Sequence, residues 1–165
     1  MTTIKMKIMK IKIILLLAIV MMSYNSYSQY NGATPWSNCF GENASCNYYG
    51  CSAIEVNTSS SSPVVAIVKQ YGKVVKHAYI SAGSRYTFEV KDGTYQIFFY
   101  YGTSWNKYKR MSSDECSSIY GGWEDNENVT KDNPITLSNQ IMTYTLTSVV
   151  GGNFNTKGSS LKEAL

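Results

Sequence analysis

The stretch Tyr86-Thr87-Phe88-Glu89-Val90-Lys91-Asp92-Gly93-Thr94-Tyr95-Gln96-Ile97-Phe98-Phe99-Tyr100-Tyr101 reads as two β-strands on either side of an Asp-Gly step. Tyr86, Phe88 and Val90 share one face at period two, as do Tyr95, Ile97, Phe99 and Tyr101. Asp-Gly tolerates the positive φ that a two-residue turn needs, so a hairpin across Lys91–Thr94 is predicted, with a well-specified register.

The same pattern extends to both sides. Ser52–Asn57 alternates, with Ile54 and Val56 pointing one way and Glu55 the other. The β-branched run Val64–Gln70, the turn residues Tyr71 and Gly72, and the returning run Val74–Ile80 predict a second hairpin. Downstream, Gly102–Asn133 is polar and reads as a long loop. Strand character resumes at Ile135–Leu137 and Ile141–Val149, with Met142, Tyr144 and Leu146 inward and Thr143, Thr145 and Thr147 facing water. Gly151–Leu165 reads as a tail whose last residues form at most a short helical turn. After the N-terminal leader no segment keeps a 3.6-residue period over a helical length. Short strands separated by frequent turns therefore predict an all-β, antiparallel β-sandwich of about seven strands.

The beginning of the chain predicts export. Lys5, Lys7, Lys10 and Lys12 precede the apolar run Ile13–Met22, and the small residues Ser26 and Ser28 follow it, which is the pattern of a signal peptide cleaved before Gln29. The apolar core spans about ten residues, where a membrane-crossing helix needs about twenty. The processed chain is thus expected not to span a membrane, and to reach the periplasm, the cell surface or the medium. The leader also carries the whole formal charge of +4, because the remaining eleven Lys and Arg equal the eleven Asp and Glu. Nucleic acid, which is bound by clustered cations, is not an expected partner.

About 137 residues remain, enough for one domain with one hydrophobic core. The expected organisation is a leader over 1–28, an irregular cysteine-containing segment over 29–50, a sandwich over 51–154 and a tail over 155–165. In an exported chain, Cys39, Cys46, Cys51 and Cys116 predict two disulfides. Of the three connectivities, the expected one joins Cys39 to Cys46 and Cys51 to Cys116. The cysteines lack the paired short repeats of zinc sites and the chain has one histidine, so neither metal nor other cofactor is expected.

The strings Val74-Val75-Lys76-His77-Ala78-Tyr79-Ile80-Ser81-Ala82-Gly83, Tyr86-Thr87-Phe88, Asp92-Gly93-Thr94-Tyr95 and Tyr100-Tyr101-Gly102-Thr103-Ser104-Trp105 carry a family resemblance. With Tyr144-Thr145-Leu146 and Gly151-Gly152-Asn153-Phe154, they resemble a group of uncharacterised bacterial secreted or surface β-sandwich domains, over about Cys51–Phe154. The Asp-Gly-Thr-Tyr step is also similar to the turn of carboxypeptidase-regulatory-like and transthyretin-like sandwiches. The resemblance implies an Ig-like or transthyretin-like sandwich and export, and no activity.

Candidate chemistry is sparse. His77 lies in a predicted strand, and Ser81 and Ser84 lack the sharp strand-to-helix turn that exposes a catalytic serine, so no enzyme is expected. Glu124, Asp125 and Glu127 do not have the spacing of a calcium loop and read as a solvated acidic loop. Tyr100, Trp105, Tyr108, Tyr120 and Trp123 fall in or beside the polar stretch, where flat rings can stack on a sugar or anchor a protein. The predicted function is a binding or adhesion module for a glycan or protein partner, against two other uses. Trp105 and Trp123 can instead plug the end of the sandwich, and the chain can instead be a structural element of an envelope or matrix, assembling through weakly guarded edges such as Ile141–Val149.

Overall fold

The computed structural model describes residues 29–47, 49–146 and 157–165. The predicted leader, Thr147–Val149 and the Gly151–Phe154 part of the resemblance lie outside them. The described residues form an all-β sandwich of two sheets with two short helices. The elements are α1 (Ser37–Phe40), β1 (Cys51–Thr58), β2 (Val64–Gln70), β3 (Lys73–Ile80), β4 (Arg85–Lys91), β5 (Gly93–Met111), β6 (Ile119–Lys131), β7 (Ile135–Leu137), β8 (Ile141–Leu146), β9 (Lys157–Ser159) and α2 (Leu161–Ala164). The smaller sheet has the order β4-β1-β8, and the larger β3-β2-β5-β6-β9, with β7 beside the first residues of β5. Every strand pair is antiparallel except β1–β8, which is parallel, so the fold departs at that pair from the fully antiparallel expectation.

Alternation supplies the core between the sheets. Ile54, Val56, Phe88, Val90 and Tyr144 of the smaller sheet meet Val64, Ala66, Val68, Ile97 and Phe99 of the larger. The intervening residues of β2 and β5 are apolar too, because the larger sheet is covered on its outer face as well. There Val65, Ile67, Phe98 and Tyr100 pack under Trp36 from the N-terminal segment and under Ala164 and Leu165 from the C-terminal one. A sheet buried on both sides requires unbroken apolar strands, and Val64–Val68 is one.

Three further sequence-based expectations are corrected. First, β4 and β5 do not form a hairpin. β4 pairs with β1, and β5 pairs with β2 and β6, so Lys91–Thr94 is a corner between sheets. The Asp92 carboxylate holds this corner, accepting from Ser52 Oγ at 2.5 Å and from the Asn139 amide at 2.8 Å, while the Asp92 amide donates to the Gly50 carbonyl at 2.7 Å. The period-two sets read from the sequence face each other across the core instead of lying side by side. The two-residue turn is at Tyr71-Gly72, where φ is 52° and 78° and Gln70 pairs with Lys73.

Second, Gly102–Asn133 is not a loop. β5 continues unbroken to Met111 and β6 returns from Ile119, forming a long hairpin arm. Its side chains are mostly polar because much of it stands in water, which removes the apolar alternation by which strands are read. Third, the disulfides join Cys39 to Cys116 and Cys46 to Cys51. Cys51 opens β1 opposite Lys91, whereas Cys116 lies in the tip loop of the arm over α1, so each cysteine bonds to the neighbour its element brings. Two disulfides fit an oxidising compartment. No helix among the described residues is long and apolar enough to cross a membrane.

Candidate functional site

The arm positions the predicted aromatic residues. Its ladder shifts register between Tyr101 and Thr103 and again between Asn106 and Arg110, and Ser104 and Asn126 adopt left-handed φ of 59° and 54°. Such irregularities bend and twist a strand pair. Beyond the first shift the arm folds back over the outer face of the larger sheet. The Trp123 amide donates to Tyr100 Oη at 3.0 Å and its indole N–H to the Tyr100 carbonyl at 3.2 Å. Trp105 and Trp123 oppose each other edge to face, with centroids 5.0 Å apart, and both reach Tyr79 of β3 at 5.7 and 5.8 Å.

The five rings predicted in or beside the polar stretch therefore divide into two groups. Tyr100 and Trp123 are buried, Trp105 is half-buried, and these three tie the arm to the sheet. Tyr108 and Tyr120 remain exposed, at 73% and 48%. Tyr120 pairs across the ladder with Arg110, so these two share a face of the arm, and Tyr108 lies two residues before Arg110, inside the second register shift. The Lys107 ammonium lies 4.8 Å from the centroid of the Tyr108 ring. Arg110 and Lys107 are absent from the sequence-based set. Lys107 adjoins Tyr108 and lies over its ring, and a strand reading of Gly102–Met111 would have brought Arg110 into the set as a strand residue beside it in sequence.

The opposite side of the arm is locked. Tyr100 donates its hydroxyl hydrogen to Glu127, Lys109 pairs with Glu127 at 3.0 Å, and Lys109 also donates to the Trp123 carbonyl. Burial first, and Glu127 next, raise the Tyr100 pKa well above the usual phenol range, so Tyr100 stays protonated and donating. Glu124 accepts from Asn106 at 2.5 Å, so the predicted acidic loop is instead dispersed along β6. At the tip, Cys116 is bonded to Cys39, and Asn38 donates to the Ser118 carbonyl at 3.0 Å.

His77 sits at the root of this assembly. Its ring stacks on Trp36 at 5.6 Å and meets Phe40 edge-on at 5.9 Å, and its Nε2 accepts from the Trp36 amide at 3.1 Å. Its Nδ1 has no hydrogen-bond partner among the described residues. Burial lowers its pKa from 6.5 to about 4, against the opposing pull of Glu42 and the Thr34 backbone. Among the described residues no three His, Cys, Asp or Glu side chains converge as metal ligands. Comparison with family models, curated proteins and solved structures found no match to this chain.

Proposed function

We propose that this chain is a secreted, non-enzymatic binding or adhesion module that takes a glycan or protein partner on the Tyr108–Tyr120 face of its arm. The observation that carries the reading is two exposed phenols and a guanidinium close together in the outer part of an arm that is held by a disulfide, by Trp105 and Trp123 and by the Tyr100–Glu127–Lys109 chain. Tyrosine and arginine offer large contact at low entropic cost, and an arm already fixed loses little freedom on binding. His77 supports the non-enzymatic part, because its Nε2 is engaged by the Trp36 amide within a stack of rings. In this reading the sandwich is Ig-like or transthyretin-like, and a bacterial leader delivers it to the periplasm, surface or medium.

A glycan array and a pull-down with the oxidised protein, repeated with Tyr108→Ala/Tyr120→Ala, test the proposal. Captured ligand that the double variant loses at unchanged melting temperature supports it. A double variant that loses none of the captured ligands contradicts it. The structural-element reading has one observation in its favour: among the described residues β8 is an outer strand with no charged residue, whereas the outer strands β3 and β4 carry Lys73 and Lys76, and Arg85, Glu89 and Lys91. Sedimentation showing reversible assembly with concentration would favour it, and a monomer throughout would remove it.

A further inference from the structure

Among the described residues, the outer face of the larger sheet is not covered everywhere. At the Tyr71-Gly72 turn an open cavity of about 410 Å³ remains, floored by Lys69, Gln96 and Phe98 and walled by Tyr71, Pro134 and Glu163. Lys69 and Gln96 are direct cross-strand partners on this floor. The Lys69 ammonium lies 5.7 Å from the Phe98 centroid and donates to the Glu163 backbone carbonyl at 2.6 Å. Gln96 donates its amide to the Asp132 carbonyl at 3.0 Å, which orients the side chain and leaves its oxygen as an acceptor. Glu163 pairs with Lys131 and accepts from Ser159 Oγ at 2.7 Å.

Tyr71 is the anomaly of this cavity. It is 90% exposed, and its φ of 52° lies in the left-handed region, where a non-glycine residue is uncommon and asparagine, aspartate or glycine usually serves. Packing does not account for a phenol ring there, since almost none of it is buried. The turn therefore keeps a large ring in water at a backbone position where a smaller residue is less strained. Strained residues of this kind concentrate where a ligand is met.

We propose that this cavity is a second ligand site, and that it takes a pyranose ring stacked on Tyr71 with its hydroxyls on Gln96, Lys69 and Glu163. A pyranose has an apolar C–H face that an aromatic ring covers, and a rim of hydroxyls that donate and accept. The cavity offers the matching set of an amide oxygen, ammonium hydrogens and a carboxylate around one exposed ring, and its volume is within the range of small-molecule sites. None of these residues belongs to the Tyr108–Tyr120 face, so the site goes beyond the function proposed above and is tested separately from it.

The experiment titrates the oxidised protein with the methyl glycosides of glucose, galactose, mannose and N-acetylglucosamine and follows backbone amide shifts. At least one sugar is expected to move the amides of Tyr71, Gly72 and Gln96. Tyr71→Asn should weaken that sugar by tenfold or more while the melting temperature stays the same or rises, because asparagine suits the turn. Gln96→Ala should weaken it as well, and Tyr108→Ala/Tyr120→Ala should leave it unchanged. If none of the four sugars shifts these amides, or if Tyr71→Asn binds as tightly as the parent, the proposal is overturned.

Discussion

The His77 imidazole lies between Trp36 and Phe40, and it is neutral at ordinary pH because burial holds its pKa at about 4, below its usual 6.5. Between pH 6.5 and 4 the unfolded chain therefore takes up a proton that the folded chain refuses. Folding stability should fall as the pH drops through this window, by about 3 kcal/mol in all, and should not respond to this group above it. Denaturant titrations against pH check this. His77→Gln, which keeps an acceptor for the Trp36 amide, should flatten the profile between 6.5 and 4; a slope as steep as the parent's would contradict the assignment. Gly102 is the second decisive residue. A Cβ there would lie 2.3 Å from Cβ and Cγ of Trp123, so Gly102→Ala should cost about 1–3 kcal/mol and loosen the arm, as the midpoint of chemical unfolding and Trp fluorescence will report. At this scale the sequence is legible in part. His77 reads from it as a packed or surface strand residue, but nothing local separates Tyr100 and Trp123, which are buried, from Tyr108 and Tyr120, which are not. That division comes from a fold-back of the arm that only tertiary contacts reveal.

At the scale of elements, β1, β2, β3, β4, β7 and β8 are legible because alternating or β-branched runs between turn residues mark them. Their partners are less so. Asp-Gly makes a corner at Asp92, and Tyr-Gly makes the tight turn at Tyr71, because hydrogen bonds from Ser52 and Asn139 outweigh the local preference of the dipeptide. These bonds hold the Asp92 carboxyl below its ordinary pKa, with the Ser52 contact contributing most. Asp92→Asn should accordingly leave the strands intact while weakening the corner near neutral pH, visible as faster amide exchange at Asn139. Exchange there as slow as in the parent would show that the carboxylate does not hold the corner. The arm is the largest element the sequence conceals. Its tip is anchored by Cys39–Cys116, which spans 77 residues, whereas Cys46–Cys51 spans 5. In the chain-entropy view the first stabilises by about 4 kcal/mol and the second by about 2 kcal/mol. Cys39→Ser/Cys116→Ser should therefore lower the melting temperature more than Cys46→Ser/Cys51→Ser, and should release the Tyr108–Tyr120 face.

Over the whole molecule, one sheet is covered twice: by the smaller sheet on one side, and by both terminal segments and the arm on the other. Unbroken apolar runs at Val64–Val68 and Ile97–Tyr101 carry this information in the sequence, since a strand with one wet face would alternate. They do not say what covers the second face. Trp36, with its indole N–H donating to the Gly121 carbonyl at 2.9 Å, and Leu165, whose carbonyl accepts from Ser113 Oγ at 2.7 Å, are the residues that close it. The disulfide connectivity records the arrangement covalently, because Cys39 can reach Cys116 only if the N-terminal segment and the arm tip meet over that face. The most direct measurement is therefore mass-spectrometric peptide mapping of the unreduced protein. Cross-linked peptides joining Cys39 to Cys116 and Cys46 to Cys51 are predicted; peptides joining Cys39 to Cys46 and Cys51 to Cys116 would contradict the covered sheet, the anchored arm and the binding face built on it.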